Sequence, residues 1–437
     1  MGTRWQAVKS RLGRKVRVTV IALGAMIIGL VLLGLLLWSA TRGRTTHLRV
    51  TQPGELRTLI PSIVGLTQGA LEQGNKIAIL QNGDGFFPVL LKEIENAKET
   101  INFESYVWWK GEICKQIAQA LAKKAREGVE VRVLLDASGS SRMDDDLEKM
   151  MIDAGCQVRK FHPLRISNLG RMNNRDHRKI MVFDGRIGMT GGHGIAEEWT
   201  GDGQDRKHWR DTFLRVEGPI VNQLQSAFFE NWIEETGEVV SGEKYFPRLP
   251  PAGPSSAHLA YTSPSGTVSS VELLHAMAIA AARKEILISN PYFLPNKDVI
   301  ELLAKAVQRG VDVRVMVPSA EVNDFPMVQH ASHRHYGTLI KRGIKIYEYE
   351  KTLCHQKVII IDGLWSSVGS TNFDDRSFRL NDEVSMGIID ESVAAELKKA
   401  FEQDLRSAKS PTFDQWKDRG LFHKLKDGLA FVGNSQL

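Results

Sequence analysis

The sequence contains little cysteine, with three among 437 residues. Cys114, Cys156 and Cys354 are an odd number and show no paired spacing. A fold held together by disulfide bonds is therefore not expected, and Cys354, beside a histidine, is expected to be a small packing residue.

Convincing metal ligands are also lacking. His330, His333 and His335 lie close together, but Arg334 stands between two of them and neither an acidic residue nor a cysteine accompanies them. Zinc sites usually combine histidines with cysteine or acidic ligands. We predict no metal and no cofactor, and expect these histidines to line the rim of a groove.

Charged residues are absent from the 24 positions between Val18 and Thr41, which are rich in Leu, Ile and Val. As a helix this run would extend about 36 Å, enough to cross a hydrocarbon core of about 30 Å. A cleaved signal peptide is the alternative, but the run is long and Trp38-Ser39-Ala40 is a poor cleavage site. Residues 1–50 are therefore predicted to be a basic N-terminus with an uncleaved, single-pass anchor.

Acidic residues do not occur before Glu55. Six basic residues precede the apolar run and three follow it, which predicts a cytoplasmic N-terminus but leaves open the side of the catalytic part. Without these nine, 48 basic residues face 51 acidic ones. The remainder of the chain is not generically basic, so nucleic acid is not an expected partner.

One motif is present twice. The spacing H-x-K-x4-D begins at His177 and again at His355, and a glycine follows each copy, Gly191 in the first and Gly369 in the second. The candidate catalytic residues are His177, Lys179, Asp184, His355, Lys357 and Asp362.

The chemistry of phosphodiester cleavage explains a duplicated motif. Without a metal, the reaction needs a nucleophile and a proton donor, and histidine can serve as either. Two imidazoles that meet across one phosphate could form a phosphohistidine and protonate the leaving alcohol, provided that their pKa values differ. The lysines would hold the non-bridging oxygens. The motifs therefore predict one phosphoryl-transfer centre.

Local pattern places the motifs on strands. Residues 179–183 and 357–361 are short apolar runs, and the alternation of a strand puts the His and Lys of H-x-K on one face. Asp184 and Asp362 lie at the strand ends, where we expect them to orient neighbouring backbone.

A longer repeat supports two homologous halves. Residues 126–133 return as 309–315, each after an amphipathic helical run. We predict an α/β fold, each half a mixed, largely parallel sheet flanked by helices, packed pseudo-twofold around one active site because neither half holds both histidines. The predicted units are 51–240, a Pro/Ser-rich connector 241–256, and 257–437 with an amphipathic C-terminal segment.

The motif spacing resembles the phospholipase D superfamily, whose signature continues with Gly-Ser-x-Asn. The second copy has Ser370 and Asn372 at these positions, whereas the first has Gly192 and Gly194. Backbone amides or His193 are possible substitutes. Segments typical of the bacterial cardiolipin synthase branch are Asn82-Gly83-Asp84, Phe103-Glu104-Ser105-Tyr106, Trp209-Arg210-Asp211, Pro291-Tyr292-Phe293 and Asn381-Asp382-Glu383.

This resemblance implies a metal-independent transfer of a phosphatidyl group between phosphatidylglycerol molecules in the bacterial inner membrane. We expect Asp211 and Glu383 to stand behind the histidines of their own halves, and the resemblance supports Glu383 in particular. Glu104 and Asn290 are candidate substrate contacts. The alternatives are a hydrolytic phospholipase D or nuclease, and an inactive membrane-tethered lipid-binding protein. Family precedent favours His177 as nucleophile, with His355 as the alternative; donor, acceptor and oligomeric state stay open.

Overall fold

The computed structural model describes residues 16–34, 47–51, 54–163, 173–264 and 268–418. Its α helices are α1 Val16–Gly34, α2 Leu56–Leu66, α3 Asn82–Asn96, α4 Glu112–Arg126, α5 Asp145–Asp153, α6 Val221–Thr236, α7 Ser270–Ala281, α8 Lys297–Gln308, α9 Pro326–Lys341, α10 Asp375–Arg379, α11 Glu391–Leu405 and α12 Phe413–Lys417.

The strands are β1 Glu72–Gln81, β2 Thr100–Ser105, β3 Glu130–Asp136, β4 Gln157–Phe161, β5 Ile180–Phe183, β6 Ile187–Gly191, β7 Thr212–Glu217, β8 Ser255–Thr262, β9 Glu285–Ser289, β10 Asp312–Pro318, β11 Lys345–Tyr349, β12 Val358–Ile361, β13 Trp365–Gly369, β14 Glu383–Ile389 and β15 Ala408–Lys409.

The strands form one sheet whose order is β15-β11-β10-β9-β12-β13-β14-β8-β1-β7-β6-β5-β2-β3-β4. Read outward from the β1–β8 pair, the two halves have the same order, which is the pseudo-twofold repeat expected. The prediction of a largely parallel sheet was wrong. Only β2-β3-β4 and β9-β10-β11 pair in parallel among the described strands, because each motif strand continues into an antiparallel hairpin.

Helix burial follows the sequence pattern. In α8 the buried residues recur at spacings of three and four, as Val299, Leu302, Leu303 and Ala306. The helix begins where the Asn296 side chain accepts a hydrogen bond from the Val299 N–H (3.0 Å), which satisfies a donor at the helix start. Such helices cover the outer faces of the sheet.

The halves pack face to face across a shared apolar cluster. Phe228 and Trp232 of α6 in the first half, and Phe401 of α11 in the second, are buried in it. Ile180 of β5 and Ile360 of β12 belong to the same cluster. Both motif strands therefore rest on one core, which fixes their relative position.

The segment that begins at residue 47, after helix α1, packs on the second half. The Leu48 N–H donates to the carboxylate of Asp298 (2.9 Å), in the first turn of α8. Leu56 and Ile63 of α2 are buried in the same cluster as Leu274 of α7. The chain therefore crosses the surface of the second half before it forms the first.

Helix α1 has 19 residues, a mean hydropathy of 2.5 and no buried share within the structure. Among the described residues it is the helix long and apolar enough to cross a membrane. Residues 35–41 of the predicted span, the basic residues of 1–15 and 42–44, and the amphipathic segment from Leu421 onward lie outside the described residues.

Candidate active site

Each histidine is held by a backbone segment of the other half. The His177 N–H donates to the Asp382 carbonyl (2.9 Å), and the Asp382 N–H donates to the Arg175 carbonyl (2.8 Å). In the same way the His355 N–H donates to the Arg210 carbonyl (2.7 Å). Two short bridges of backbone therefore bring the motifs together where the halves meet.

Both histidines line one cavity of about 410 Å³. Lys179 and Asn372 contribute to its wall, and the Lys357 Nζ lies 2.8 Å from Nε2 of His355. The structure thus places side chains from both motifs around one space large enough for a small polar headgroup.

The carboxylates behind the histidines are exchanged between the halves. Nδ1 of His177 lies 3.0 Å from Oε2 of Glu383, and Nδ1 of His355 lies 2.8 Å from Oδ2 of Asp211. The expectation that each acid serves its own half was wrong, because each acid directly follows the residue that pairs with the other half's motif. A carboxylate on Nδ1 fixes the ring and leaves Nε2 for the reacting groups.

Burial shifts the pKa values of the four motif side chains toward their neutral forms. It lowers the pKa of His355 to about 4 and that of His177 well below its usual range, with Lys179 and Lys357 adding to the latter effect. Burial also lowers the pKa of Lys179 to about 8 and that of Lys357 to about 7. The unliganded site therefore favours neutral imidazoles beside two lysines that titrate near neutral pH.

The two carboxylates differ in charge. Burial raises the pKa of Glu383 to about 7, although the Lys179 charge and a hydrogen bond from the Ser370 hydroxyl oppose it. Burial also opposes ionisation of Asp211, but interactions with His193 and His355, the hydrogen bond to His355 and the charge of Lys357 together lower the Asp211 pKa. The carboxylate behind His355 is therefore the more firmly ionised of the two, and its charge partly offsets the lowering of the His355 pKa by burial.

The glycines of the first motif leave room for other groups. A Cβ atom at Gly192 would overlap the Asp211 carboxylate, and one at Gly194 would lie 3.0 Å from the Trp199 ring. The Trp199 Nε1 donates to Oδ2 of Asp211 (2.9 Å), as the Ser370 hydroxyl does to Glu383. Trp199 thus supplies to Asp211 the hydrogen bond that Ser370 supplies to Glu383, and its ring lies beside Gly194. The buried ring of His193 packs against Phe86, with centroids 4.7 Å apart.

The variant Gly192→Ser, which would restore the serine of the family signature, is expected to lower activity by about a hundredfold or more. The added atoms would displace the Asp211 carboxylate from His355. Misplacement of a catalytic group lowers the reaction rate by a factor of this order. The measurement is the rate of product formation beside thermal unfolding. Ser370→Gly is the matched change in the other half and should be milder, since it opens space. Wild-type activity in Gly192→Ser would contradict this account.

Two predicted substrate contacts lie away from the cavity. Glu104 on β2 is fully buried and accepts a hydrogen bond from the Asn231 amide of α6 (3.0 Å). Asn290 donates to the Thr371 carbonyl (3.3 Å) and accepts from the Phe373 N–H (3.2 Å). Neither belongs to the cavity wall. Glu104 faces α6 because of its strand alternation, and Asn290 fastens the loop that carries Asn372.

Asp184 and Asp362 also act on backbone. The Asp184 carboxylate accepts N–H hydrogen bonds from residues 98–100, at 2.7–3.1 Å. Asp362 accepts the equivalent bonds from residues 283–285, at 2.7–3.0 Å. Both aspartates have positive φ angles, +52° and +55°. They anchor the start of β2 and β9 beside the motif strands and lie outside the cavity wall.

Several cavity residues did not emerge from sequence reasoning as site residues. Arg175 lines the wall, and its position two residues before His177 on an extended segment could have indicated this. Arg376, Trp199 and Trp209 also line it; Trp209 lies in a segment typical of the family, but nothing in the sequence marked its side chain as part of the site. Of the three histidines expected at a groove rim, none belongs to the wall; His333 contacts Glu348 (3.2 Å).

The family model described as "Cardiolipin synthase, PLD-like domain" matches residues 90–232 and 276–405. The chain belongs to this family. Cardiolipin synthase 1 of Staphylococcus epidermidis strain RP62A is 34% identical over 378 residues, which are 86% of this chain and 76% of that protein. Cardiolipin synthase 1 of Staphylococcus aureus strain COL is 35% identical over 366 residues, 83% of this chain and 74% of that protein.

Solved structures share the PLD-like fold of the cardiolipin synthase family. Phosphatidylserine synthase of Haemophilus influenzae aligns with a TM-score of 0.63 at 16% identity, covering 83% of this chain and 95% of that one. Polyphosphate kinase of Porphyromonas gingivalis aligns with a TM-score of 0.55 at 14% identity, covering 85% and 53%. The family, the fold of two PLD-like halves and the enzyme class predicted from the sequence are confirmed.

Proposed function

We propose that this protein is a membrane-anchored phosphatidyltransferase that makes cardiolipin from two molecules of phosphatidylglycerol through a phosphohistidine. The observation that carries the proposal is the pair His177 and His355, which come from different halves, line one cavity and each have a carboxylate on Nδ1. The cardiolipin synthases to which the chain is similar support the choice of substrate.

The proposed reaction has two steps. Nε2 of His177 attacks phosphorus, a P–N bond forms, and the P–O bond to glycerol breaks as His355 gives its proton to the leaving oxygen. His355 then takes a proton from the hydroxyl of a second phosphatidylglycerol, which attacks phosphorus and breaks the P–N bond. His177 is assigned as nucleophile because the ionised Asp211 favours the protonated form of His355, and the bound phosphodiester adds to this effect.

The remaining site residues have supporting roles in this proposal. Lys179 and Lys357 neutralise the non-bridging oxygens. Ser370 holds the Glu383 carboxylate, and Asn372 lines the cavity. Asp184 and Asp362 position the motif strands through backbone.

The membrane arrangement is also a proposal. Helix α1 would anchor residues 1–50 in the bacterial inner membrane with the N-terminus in the cytoplasm. Residues 51–240 and 257–437 would be the two halves, joined by 241–256. The anchor brings the cavity to a substrate that does not leave the bilayer.

Product analysis tests the proposed function. The full chain in detergent with phosphatidylglycerol should yield cardiolipin and glycerol in equal amounts. Phosphatidic acid as main product would indicate a hydrolase, and cleavage of DNA a nuclease. Absence of turnover on every diester, with no trapped phosphoenzyme, would leave a lipid-binding protein.

The pH dependence of kcat/KM should reflect the lysines. Since the pKa values of Lys357 and Lys179 are lowered to about 7 and 8, their charge is present below this range and is lost as pH rises through it. We therefore expect kcat/KM to fall above about pH 7 to 8. In Lys357→Arg the side chain stays charged, so the transition near pH 7 should disappear and kcat/KM should begin to fall only near pH 8. An unchanged kcat/KM up to pH 10 would contradict this.

A further inference from the structure

The cavity is asymmetric, although its motifs repeat. Alignment of the two motifs places Leu353 opposite Arg175, and Glu198 opposite Arg376. Each arginine therefore has a non-basic counterpart in the other half. Both arginines line the cavity, so the departure from symmetry lies within the site.

The two arginines lie on the side of the cavity near His177. They act electrostatically on Tyr106, whose ring centroid is 4.8 Å from that of His177. The guanidinium of Arg376 donates to the side-chain oxygen (2.7 Å) and the carbonyl (3.0 Å) of Asn173. Burial lowers the Arg376 pKa, the charge of Asp374 raises it, and the positive charge of Arg175 lowers it again. The two arginines are therefore near enough to repel each other, and a bound anion would reduce this repulsion.

The opposite side of the cavity is aromatic. The Trp199 ring lies 5.2 Å from His355 and the Trp209 ring 5.8 Å, and the two indoles are 4.4 Å apart. Tyr292 lies 6.3 Å from the same histidine. The arginines therefore lie on one side of the cavity, near His177, and are not distributed evenly around its wall.

The lysines already match the charge of the reacting phosphodiester, which carries one negative charge. Arg175 and Arg376 are two further cations in this wall, which also carries the carboxyl groups of Asp324 and Asp374. Cardiolipin synthesis, unlike hydrolysis, brings a second phosphodiester into the site, one glycerol away from the first. Arg175 is two residues from His177 on an extended segment, a separation of about 6.6 Å, which is comparable with the length of a glycerol bridge.

We propose that Arg175 and Arg376 form a second phosphate subsite, which binds the phosphodiester of the acceptor phospholipid. The subsite rests on the proposed transferase function and deepens it, because it selects an anionic lipid over a neutral alcohol as acceptor. Guanidinium groups suit this role, since they bind phosphate oxygens through paired, charge-assisted hydrogen bonds.

A competition between acceptors tests the subsite. The full chain in mixed micelles of phosphatidylglycerol with a fixed concentration of ethanol should form cardiolipin and phosphatidylethanol from one phosphoenzyme. In Arg175→Gln and Arg376→Gln the ratio of cardiolipin to phosphatidylethanol should fall at least about tenfold, the loss typical of a charged hydrogen bond. Arg376→Lys, which keeps the charge, should lose less. The ratio does not depend on the amount of folded enzyme.

The matched control is Arg206→Gln. The Arg206 side chain is 66% exposed and lies 3.5 Å from Glu321, so its variant should keep the wild-type ratio. Equal losses of both products in the cavity variants would overturn the proposal, because the arginines would then act on the donor or on folding.

Binding tests the subsite without turnover. In a His177→Ala background, quenching of tryptophan fluorescence can report binding of short-chain cardiolipin and short-chain phosphatidylglycerol. The arginine variants should lose at least about tenfold more affinity for the ligand with two phosphates. Equal losses for both ligands would overturn the subsite. Failure of the wild type to form either transfer product would instead refute the proposed function.

Discussion

The variants His177→Ala and His355→Ala are each expected to lose at least about a thousandfold in the rate of phosphatidyl transfer. In the proposed reaction one variant lacks the nucleophile and the other lacks the proton donor, and losses of this order are usual for such groups. The measurement is cardiolipin formation per folded protein. Substantial turnover by either variant would contradict a shared two-histidine site.

The same variants can identify the nucleophile. With phosphatidylglycerol labelled in its phosphate, His177→Ala should carry no acid-labile label, whereas His355→Ala should retain some because its P–N bond forms and then breaks slowly. The control is His47→Ala, whose side chain is 79% exposed and contacts Asp298. Label in His177→Ala but not in His355→Ala would reverse the two roles.

The variant Asp211→Asn is expected to lower the transfer rate by about a hundredfold to ten-thousandfold. The loss should act through His355 in the other half, since Asp211 raises the pKa of that histidine. Its removal should therefore lower the His355 pKa, and because a proton donor must be protonated, the loss in kcat/KM should increase as pH rises.

Imidazole titration by NMR provides the decisive measurement for this exchange of acids. Asp211→Asn should alter the resonances of His355, and Glu383→Gln those of His177. Asp205→Asn is the control, because its carboxylate is exposed and contacts His208. A perturbation confined to the histidine of the same half would refute the exchange.

Local regularities explain what the sequence could predict. The spacing of His177 and Lys179 indicates a strand edge with both side chains on one face, and the second copy at His355 indicates a repeated unit. The order of helices and strands follows from hydrophobic periodicity. These signals depend on neighbouring residues, so they are visible without the fold.

Tertiary pairing explains what the sequence could not predict. The partner of Glu383 is decided by the backbone contact between Asp382 and His177, which lie far apart in the chain. The sequence alone made Glu104 a candidate substrate contact, but in the fold its hydrogen-bond partner is Asn231 of α6. From the sequence, Gly192 indicates only that the serine of the family signature is missing. The structure shows that the Asp211 carboxylate occupies the space where that side chain would lie.

The exchange of carboxylates also constrains how such a protein could arise and change. If it descends from a duplicated gene, the ancestral unit would have needed a second copy of itself to complete each histidine dyad. After fusion, a mutation that shortens or lengthens one acidic side chain affects the histidine encoded by the other repeat. The two repeats can therefore diverge in sequence, but the acid of each repeat must stay compatible with the histidine of the other.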